Sequence, residues 1–278
     1  MQTIDVLAAL LSALLHAGWN AAVKASPRPT EAMASQMYFS ALIMLACLLF
    51  TGLPARESWP WIAGSMVMNT ITVAALLRSY ELAGFGIAYT FARAISVVLI
   101  VPLAATIAGD TMRPWAFGGI VLIFTSLAIL TVGSKTDKPI GRQALMWIAI
   151  SGVSAAAYLI CDAQGVRQSG SALAYGCTVS IANALAMAWR IRKVKSPLLV
   201  LREDWRIGIP TAVAAVISYI LILWVWTHAP IAPSAALRDT SSVFAIIIAT
   251  LFLREPMTRT RLVAVLLAIM AVPLLRLA

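Results

Sequence analysis

Residues 85–108 read FGIAYTFARAISVVLIVPLAATIA, twenty-four residues carrying one charge, Arg93. As a helix rising 1.5 Å per residue this stretch is about 36 Å long, enough to cross the roughly 30 Å hydrocarbon core of a bilayer. Helix is the state that lets a lone span satisfy its own backbone in lipid. The arginine adds information beyond length. A guanidinium at a span's centre costs about 2.5–3.5 kcal/mol on an insertion scale. Arg93 lies about eight residues in, or ~12 Å. It therefore faces a wet cavity or a partner, or it snorkels to the nearer interface.

Outward from this stretch the pattern recurs. Apolar segments at 4–23, 33–52, 59–82, 85–108, 115–132, 143–163, 171–189, 207–227, 231–253 and 262–277 give ten spans between short charged joints. The expected fold class is an all-α integral membrane protein of ten transmembrane helices. A β-barrel would need alternating segments of about ten residues, and these are absent. A hydrophobic fraction of 61% against 12% charged residues agrees. The longest joint, around 190–206, is too short to fold alone, so no soluble domain accompanies the spans. The net charge of +10 is spread over the joints rather than clustered on one element, which argues against nucleic acid as a partner. Cys47, Cys161 and Cys177 fall inside apolar segments without metal-ligand spacing and read as small buried hydrophobes. The first five residues lack the positive region of a signal peptide, so the first span is expected to be retained.

Lys and Arg concentrate in the joints after spans one, five, seven and nine, from Lys24 and Arg28 through Arg190–Arg206 to Arg259 and Arg261. The opposite joints carry Arg56, Arg113, Arg167 and Arg276. The basic side is expected in the cytoplasm, with both termini periplasmic in a bacterial inner membrane. A gapless shift of 145 residues lays Arg93 on Arg238, Ser96 on Ser241, and Asp110 on Glu255. Five spans per half is an odd number, so the second copy is inverted. Residues 1–134 are read as one five-helix repeat and 139–278 as its inverted partner. Gly84-Phe85-Gly86 and Ala229-Pro230-Ile231-Ala232-Pro233 sit at matching places before spans four and nine. These are either broken-helix signals near a transport site or tight hairpin turns.

Polar residues inside the spans are the candidate site. Arg238 and Arg93 are the two mid-span cations. Asp239 is the near counter-charge of Arg238, although adjacent helical residues point about 100° apart. Ser234, Arg238 and Ser242 share a face by spacing, as do Tyr89 and Arg93. Span one carries Ser12, His16 and Asn20 at four-residue spacing, with Trp19 beside them. His16 could relay a proton, bind a carboxylate or be a satisfied core residue. Span six carries Ser154, Tyr158 and Asp162 on one face, Asp162 near a helix end where solvation is the plainer reading. Span three carries Asn69, Thr72, Ser79 and Tyr80. Trp59, Trp61, Trp115, Trp147 and Trp205 form an aromatic belt, whereas Trp19, Trp224 and Trp226 are candidates for a pocket wall.

No zinc-protease helix, nucleophile elbow or Walker A loop occurs, and no span carries two carboxylates at helical spacing. A lipid-modifying membrane enzyme is thereby disfavoured, and no cofactor or metal is expected. With no nucleotide motif, movement of a solute would be driven by gradients.

The chain resembles the drug/metabolite transporter superfamily in its EamA-type branch. The resemblance runs over the whole chain and is carried by Tyr80-Glu81-Leu82-Ala83-Gly84, Ala88-Tyr89, Gly109-Asp110 and Gly118-Gly119 in the first half. In the second half it is carried by His228-Ala229-Pro230, Ala235-Ala236-Leu237 and Leu253-Arg254-Glu255-Pro256, with Arg254 where the family usually has glycine. In size and in the His16-Ala17-Gly18-Trp19-Asn20 run the chain is similar to the YddG-like amino-acid exporters. The resemblance implies alternating access around a central cavity lined by spans one, three, four, six, eight and nine. It also implies export of small metabolites, amino acids first; the small-residue face at Gly118-Gly119 could pack within a monomer or between monomers. Arg238, with Arg93 second, would hold a carboxylate, and Asp239 or Asp162 would meet an ammonium. Trp19, Tyr80, Tyr89, Tyr158 and Trp224 would receive the side chain. Efflux of drugs or other cations is the alternative. It would need a membrane carboxylate more than an arginine.

Overall fold

The computed structural model describes residues 1–83, 85–111, 113–132, 141–252 and 257–277. Among these residues it has twelve α-helices: α1 (Thr3–Ala25), α2 (Pro29–Thr51), α3 (Trp59–Ala83), α4 (Phe85–Ile107), α5 (Pro114–Val132), α6 (Arg142–Gln168), α7 (Ala172–Ile191), α8 (Pro197–Glu203), α9 (Trp205–Trp226), α10 (Ile231–Asp239), α11 (Ser241–Phe252) and α12 (Arg259–Arg276). Seven stretches are long and apolar enough to cross a bilayer: Thr3–Ala25, Pro29–Thr51, Arg56–Ala83, Arg142–Gln168, Ala172–Ile191, Trp205–Trp226 and Ile231–Ile248. Phe91–Ile107 and Pro114–Leu130 are shorter apolar helices. The chain is an all-α membrane protein. The segment expected as a tenth span lies in α12, which carries Arg259, Arg261 and Arg276 at its ends.

Helix ends follow local chemistry. Ser171 and Ser196 cap α7 and α8, accepting from the backbone N–H of Ala174 and Leu199. Pro29 starts α2 four residues before the expected 33, because proline at the first helical position is pre-set in φ and gives up no needed donor. The ninth expected span is not one helix. It breaks at Thr240 into α10 and α11, inside the span rather than at the prolines before it. Pro230 instead serves as the N-cap of an intact α10 start. The matching Gly84 lies outside the described residues. The joint after α7 folds into the short helix α8.

The helices pair closely: α3 and α4 on α6, α5 on α12, α1 on α9, and α2 on α7. Small residues set these approaches, as lipid-embedded helices require. A Cβ on Gly152 of α6 would meet Ala92 O at 2.8 Å and Ile95 Cβ at 2.7 Å on α4. Ser12 and Ser218 join α1 to α9 reciprocally, each Oγ donating to the other's backbone carbonyl at 2.7 and 2.8 Å. Ser126 of α5 donates to Ala264 O of α12 at 2.8 Å. Cys177 is buried as expected, but Cys47 and Cys161 are only half-buried.

Both termini share one end: the Met1 ammonium donates to Arg276 O at 3.1 Å, and Arg276 Nη2 to Thr3 Oγ1 at 2.9 Å. At the other, basic end, Arg28 and Lys195 both pair with Glu203, and Arg28 also with Asp204 at 2.9 Å. The hydrogen bonds from Lys195 and then Arg28 hold the Glu203 carboxyl below its ordinary pKa. The same contacts raise Arg28 and Lys195.

Candidate functional site

A cavity of about 230 Å³ lies between α1, α2, α3, α4, α6, α7, α9 and α10. Its wall runs from Trp19, Met33 and Leu76 toward the basic end to Ser65 and Asp162 at its floor. Asp162 stands six residues from the end of α6, so the floor is ~9 Å from the terminal face. Two more helices, α2 and α7, line it than the sequence led us to expect, through Gln36, Ser40, Ser180 and Asn183.

One wall holds the two arginines, which are differently employed. Arg93 Nη1 pairs with Asp239 Oδ1 at 2.9 Å, with the side chains 11% and 3% exposed. Arg93 Nη2 lies 2.8 Å from His16 Nε2. Guanidinium can only donate, so Nε2 accepts and His16 is the neutral tautomer with its proton on Nδ1. The guanidinium also sits 5.4 Å from the Tyr89 ring centroid, and the His16 ring meets Trp19 edge-on at 5.0 Å. Arg93 is thus satisfied from α1 and α10, and His16 is its acceptor rather than a free proton carrier.

Arg238 is also buried and lines the cavity, yet it has no ion pair among the described residues, and its Nε is buried without a hydrogen-bond partner. Asp239, its near counter-charge in the sequence, pairs elsewhere. The roughly 100° step between adjacent helical residues turns Asp239 toward α4, where Arg93 takes it.

The floor is a carboxyl group held by hydroxyls. Asp162 is 2% exposed. Oδ1 accepts from Ser65 Oγ at 2.5 Å and Tyr175 Oη at 3.2 Å, and Oδ2 from Tyr219 Oη at 2.9 Å. It ties α3, α7 and α9 to α6 and is not the solvated helix end that its position suggested. Gly165 makes room for this: a Cβ there would lie 2.5 Å from Tyr175 Oη.

Residues 142–277 match the model of the EamA-like transporter family. The second half of the chain is similar to that family. No curated protein matches the sequence. The whole fold is similar to that of a protein seen in a crystal structure, with a TM-score of 0.77 over 99% of this chain and 96% of the other at 15% identity, a likeness of fold alone. The EamA-like half supplies Tyr158, Asp162, Tyr219 and Arg238 to the cavity, and the first half supplies His16, Trp19, Asn20, Tyr89 and Arg93.

Several candidates from the sequence lie off the cavity wall, Trp226 among them in the hydrophobic core. Trp224 is 38% exposed and stacks edge-on against His228 at 4.7 Å, because its face of α9 turns away from the bundle. Tyr80 packs behind the wall with Ala88, Ala92 and Ile148. Asp239 is engaged with Arg93. Ser242 is buried beyond the Thr240 break, which interrupts the helical face it was expected to share with Arg238. Tyr175 and Tyr219 were missed. Their signal was available, since a tyrosine hydroxyl inside an apolar span demands a partner.

Proposed function

We propose that the chain is an EamA-like secondary transporter that exports small zwitterionic metabolites, amino acids first, across a bacterial inner membrane by alternating access. Arg238 carries this reading: a buried guanidinium on a cavity wall, without an ion-pair partner among the described residues, is a site waiting for an anion. Asp162 lines the same cavity and provides the opposite charge. With Arg93 neutralised by Asp239 and His16 neutral, the remaining charges among the described lining residues are one positive and one negative. A zwitterion matches both, whereas a cationic drug would face Arg238 and a simple anion would face Asp162. Tyr89, Tyr158 and Trp19 would receive the solute's apolar part.

The reading places the basic end in the cytoplasm, so the cavity extends toward the side from which an exporter loads. It also takes the chain as ten spans in two inverted halves, 1–134 and 139–278. The helix pairing supports this. Exchanging the halves carries α3–α6 onto α9–α1, carries α4–α6 onto α10–α1, and returns α2–α7 and α5–α12 to themselves. The likeness to YddG-like exporters belongs to the same proposal.

The test is counterflow in liposomes holding purified protein, preloaded with one unlabelled amino acid and offered the labelled one. Saturable exchange that an Arg238→Ala variant loses supports the reading. Exchange by folded Arg238→Ala protein at the wild-type rate removes it.

A further inference from the structure

At the terminal end, beyond the Asp162 floor, one arginine ties the α4–α5 and α9–α10 joints to the end of α6. Arg167, in the last turn of α6, donates from Nε to Trp226 O at 2.9 Å and from Nη2 to Ala229 O at 2.9 Å. These are orphan carbonyls at the end of α9 and in the joint after it. Its Nη1 pairs with Asp110 Oδ1 at 3.0 Å. Asp110 follows Gly109, whose φ of +65° turns the α4–α5 joint. Its second oxygen, Oδ2, accepts from the backbone N–H of Ile231 at 2.5 Å, the first residue of α10. The carboxylate therefore caps α10 and is itself held by Arg167. Beside it Gln164 Nε2 donates to Ile107 O at 3.0 Å.

We infer that the Arg167–Asp110 pair is the terminal-side gate of the transporter, linked to the binding site by α10. This rests on the transport reading. Asp110 belongs to the first half, whereas Arg167 and α10 belong to the second, so the halves cannot separate at this end while the pair holds. The helix that Asp110 caps is the one that carries Arg238, seven residues on and ~10 Å away. A helix so short moves as a rigid rod. A carboxylate drawn to Arg238 displaces α10 along its axis or tilts it, and that motion is felt at the Ile231 N–H bond to Asp110. Opening this end must free three donors of Arg167 and uncap α10. Opening the basic end disturbs none of these bonds, which agrees with their being intact while the cavity extends toward that end.

The test is hydrogen–deuterium exchange of the full chain in lipid nanodiscs, comparing wild type with Arg167→Met and with Asp110→Asn. In both variants amides around 226–231 and 107–111 should exchange about tenfold faster. Amides at the basic end, around 24–28 and 192–204, should exchange more slowly as that end closes. Arg167→Lys, which keeps the Asp110 pair but cannot fork to both carbonyls, should fall between. Unchanged rates around 226–231 would overturn the proposal. Faster exchange at both ends would overturn it too, since that is general loosening without a gate. No solute is needed. If the reciprocal pattern appears while no amino acid is exchanged, the gate stands and the substrate reading falls. If exchange is robust but reciprocity is absent, the gate falls alone.

Discussion

The two membrane arginines should respond in opposite ways to the same substitution. In Arg93→Met the Asp239 carboxylate loses its partner at 2.9 Å while remaining 3% exposed. Breaking a buried pair by removing one member costs about 3–5 kcal/mol, because the other charge stays buried and uncompensated. For a chain of this size that is a fall of roughly 10 °C in apparent melting temperature. His16 Nε2 loses its donor as well, which adds to the loss. In Arg238→Met no ion pair among the described residues is broken, and an unpartnered Nε leaves the interior. Thermal stability should hold or rise. Solute affinity should instead fall by at least about thirtyfold, since truncating one side of a desolvated charge pair costs about 2 kcal/mol or more. Replacing both members, Arg93→Met with Asp239→Leu, should recover most of the stability, because an apolar pair carries no stranded charge. The assay is thermal unfolding of detergent-solubilised protein followed by size-exclusion chromatography, paired with exchange in liposomes. The reasoning is refuted if Arg238→Met unfolds as easily as Arg93→Met. It is also refuted if the double variant is no better than Arg93→Met alone.

Three other outcomes follow from particular contacts. Gly152→Ala should destabilise by about 1–3 kcal/mol and slow exchange, because its Cβ would meet backbone Ala92 O at 2.8 Å and push α4, with Arg93, off α6; unfolding temperature and transport rate report both. Trp19→Ala should lower apparent solute affinity while Trp224→Ala should not, since only the first lines the cavity; equal effects in competition measurements would contradict the placement. Glu203 is held below its ordinary pKa by Lys195 and Arg28. Its contribution at the basic end is therefore full above the ordinary carboxylate value of about 4.3 and is lost as pH falls through the lower folded value. Proteolysis of the 192–204 joint should stay slow from pH 7 to about 4.3 and accelerate below, and Glu203→Gln should be nicked quickly throughout.

Much of the fold was legible because lipid imposes one rule on every span: apolar side chains outside and a helical backbone within. Runs such as 85–108 could be nothing else. What the sequence hid was partner choice. Arg238 ranked ahead of Arg93 as the holder of a carboxylate, and the roughly 100° step between neighbours argued against an Arg238–Asp239 pair without naming the partner of Asp239. Its true partner depends on how α4 crosses α10, and spacing along one helix does not encode that crossing. Asp162 was misjudged for a related reason: position near a helix end suggests water, but Ser65, Tyr175 and Tyr219 arrive from three other helices to enclose it. Trp224 was assigned to the pocket from its neighbours in sequence, though rotation about α9 decides which face it takes. The break at Thr240 carried no proline or glycine to announce it. Arg167 and Asp110 read as joint charges, and only the folded chain brings 110, 167 and 231 together.

The central claim is that one cavity holds both ends of a zwitterion between Arg238 and Asp162. The most direct measurement is competition for counterflow in liposomes among three compounds sharing one side chain: the amino acid, its decarboxylated amine and its deaminated acid. The account predicts that the amino acid competes and that neither single-charge analogue does so at comparable concentration. Equal competition by the amine would contradict it and point to a cation site at Asp162, while equal competition by the acid would leave Arg238 as an anion site and remove Asp162 from recognition.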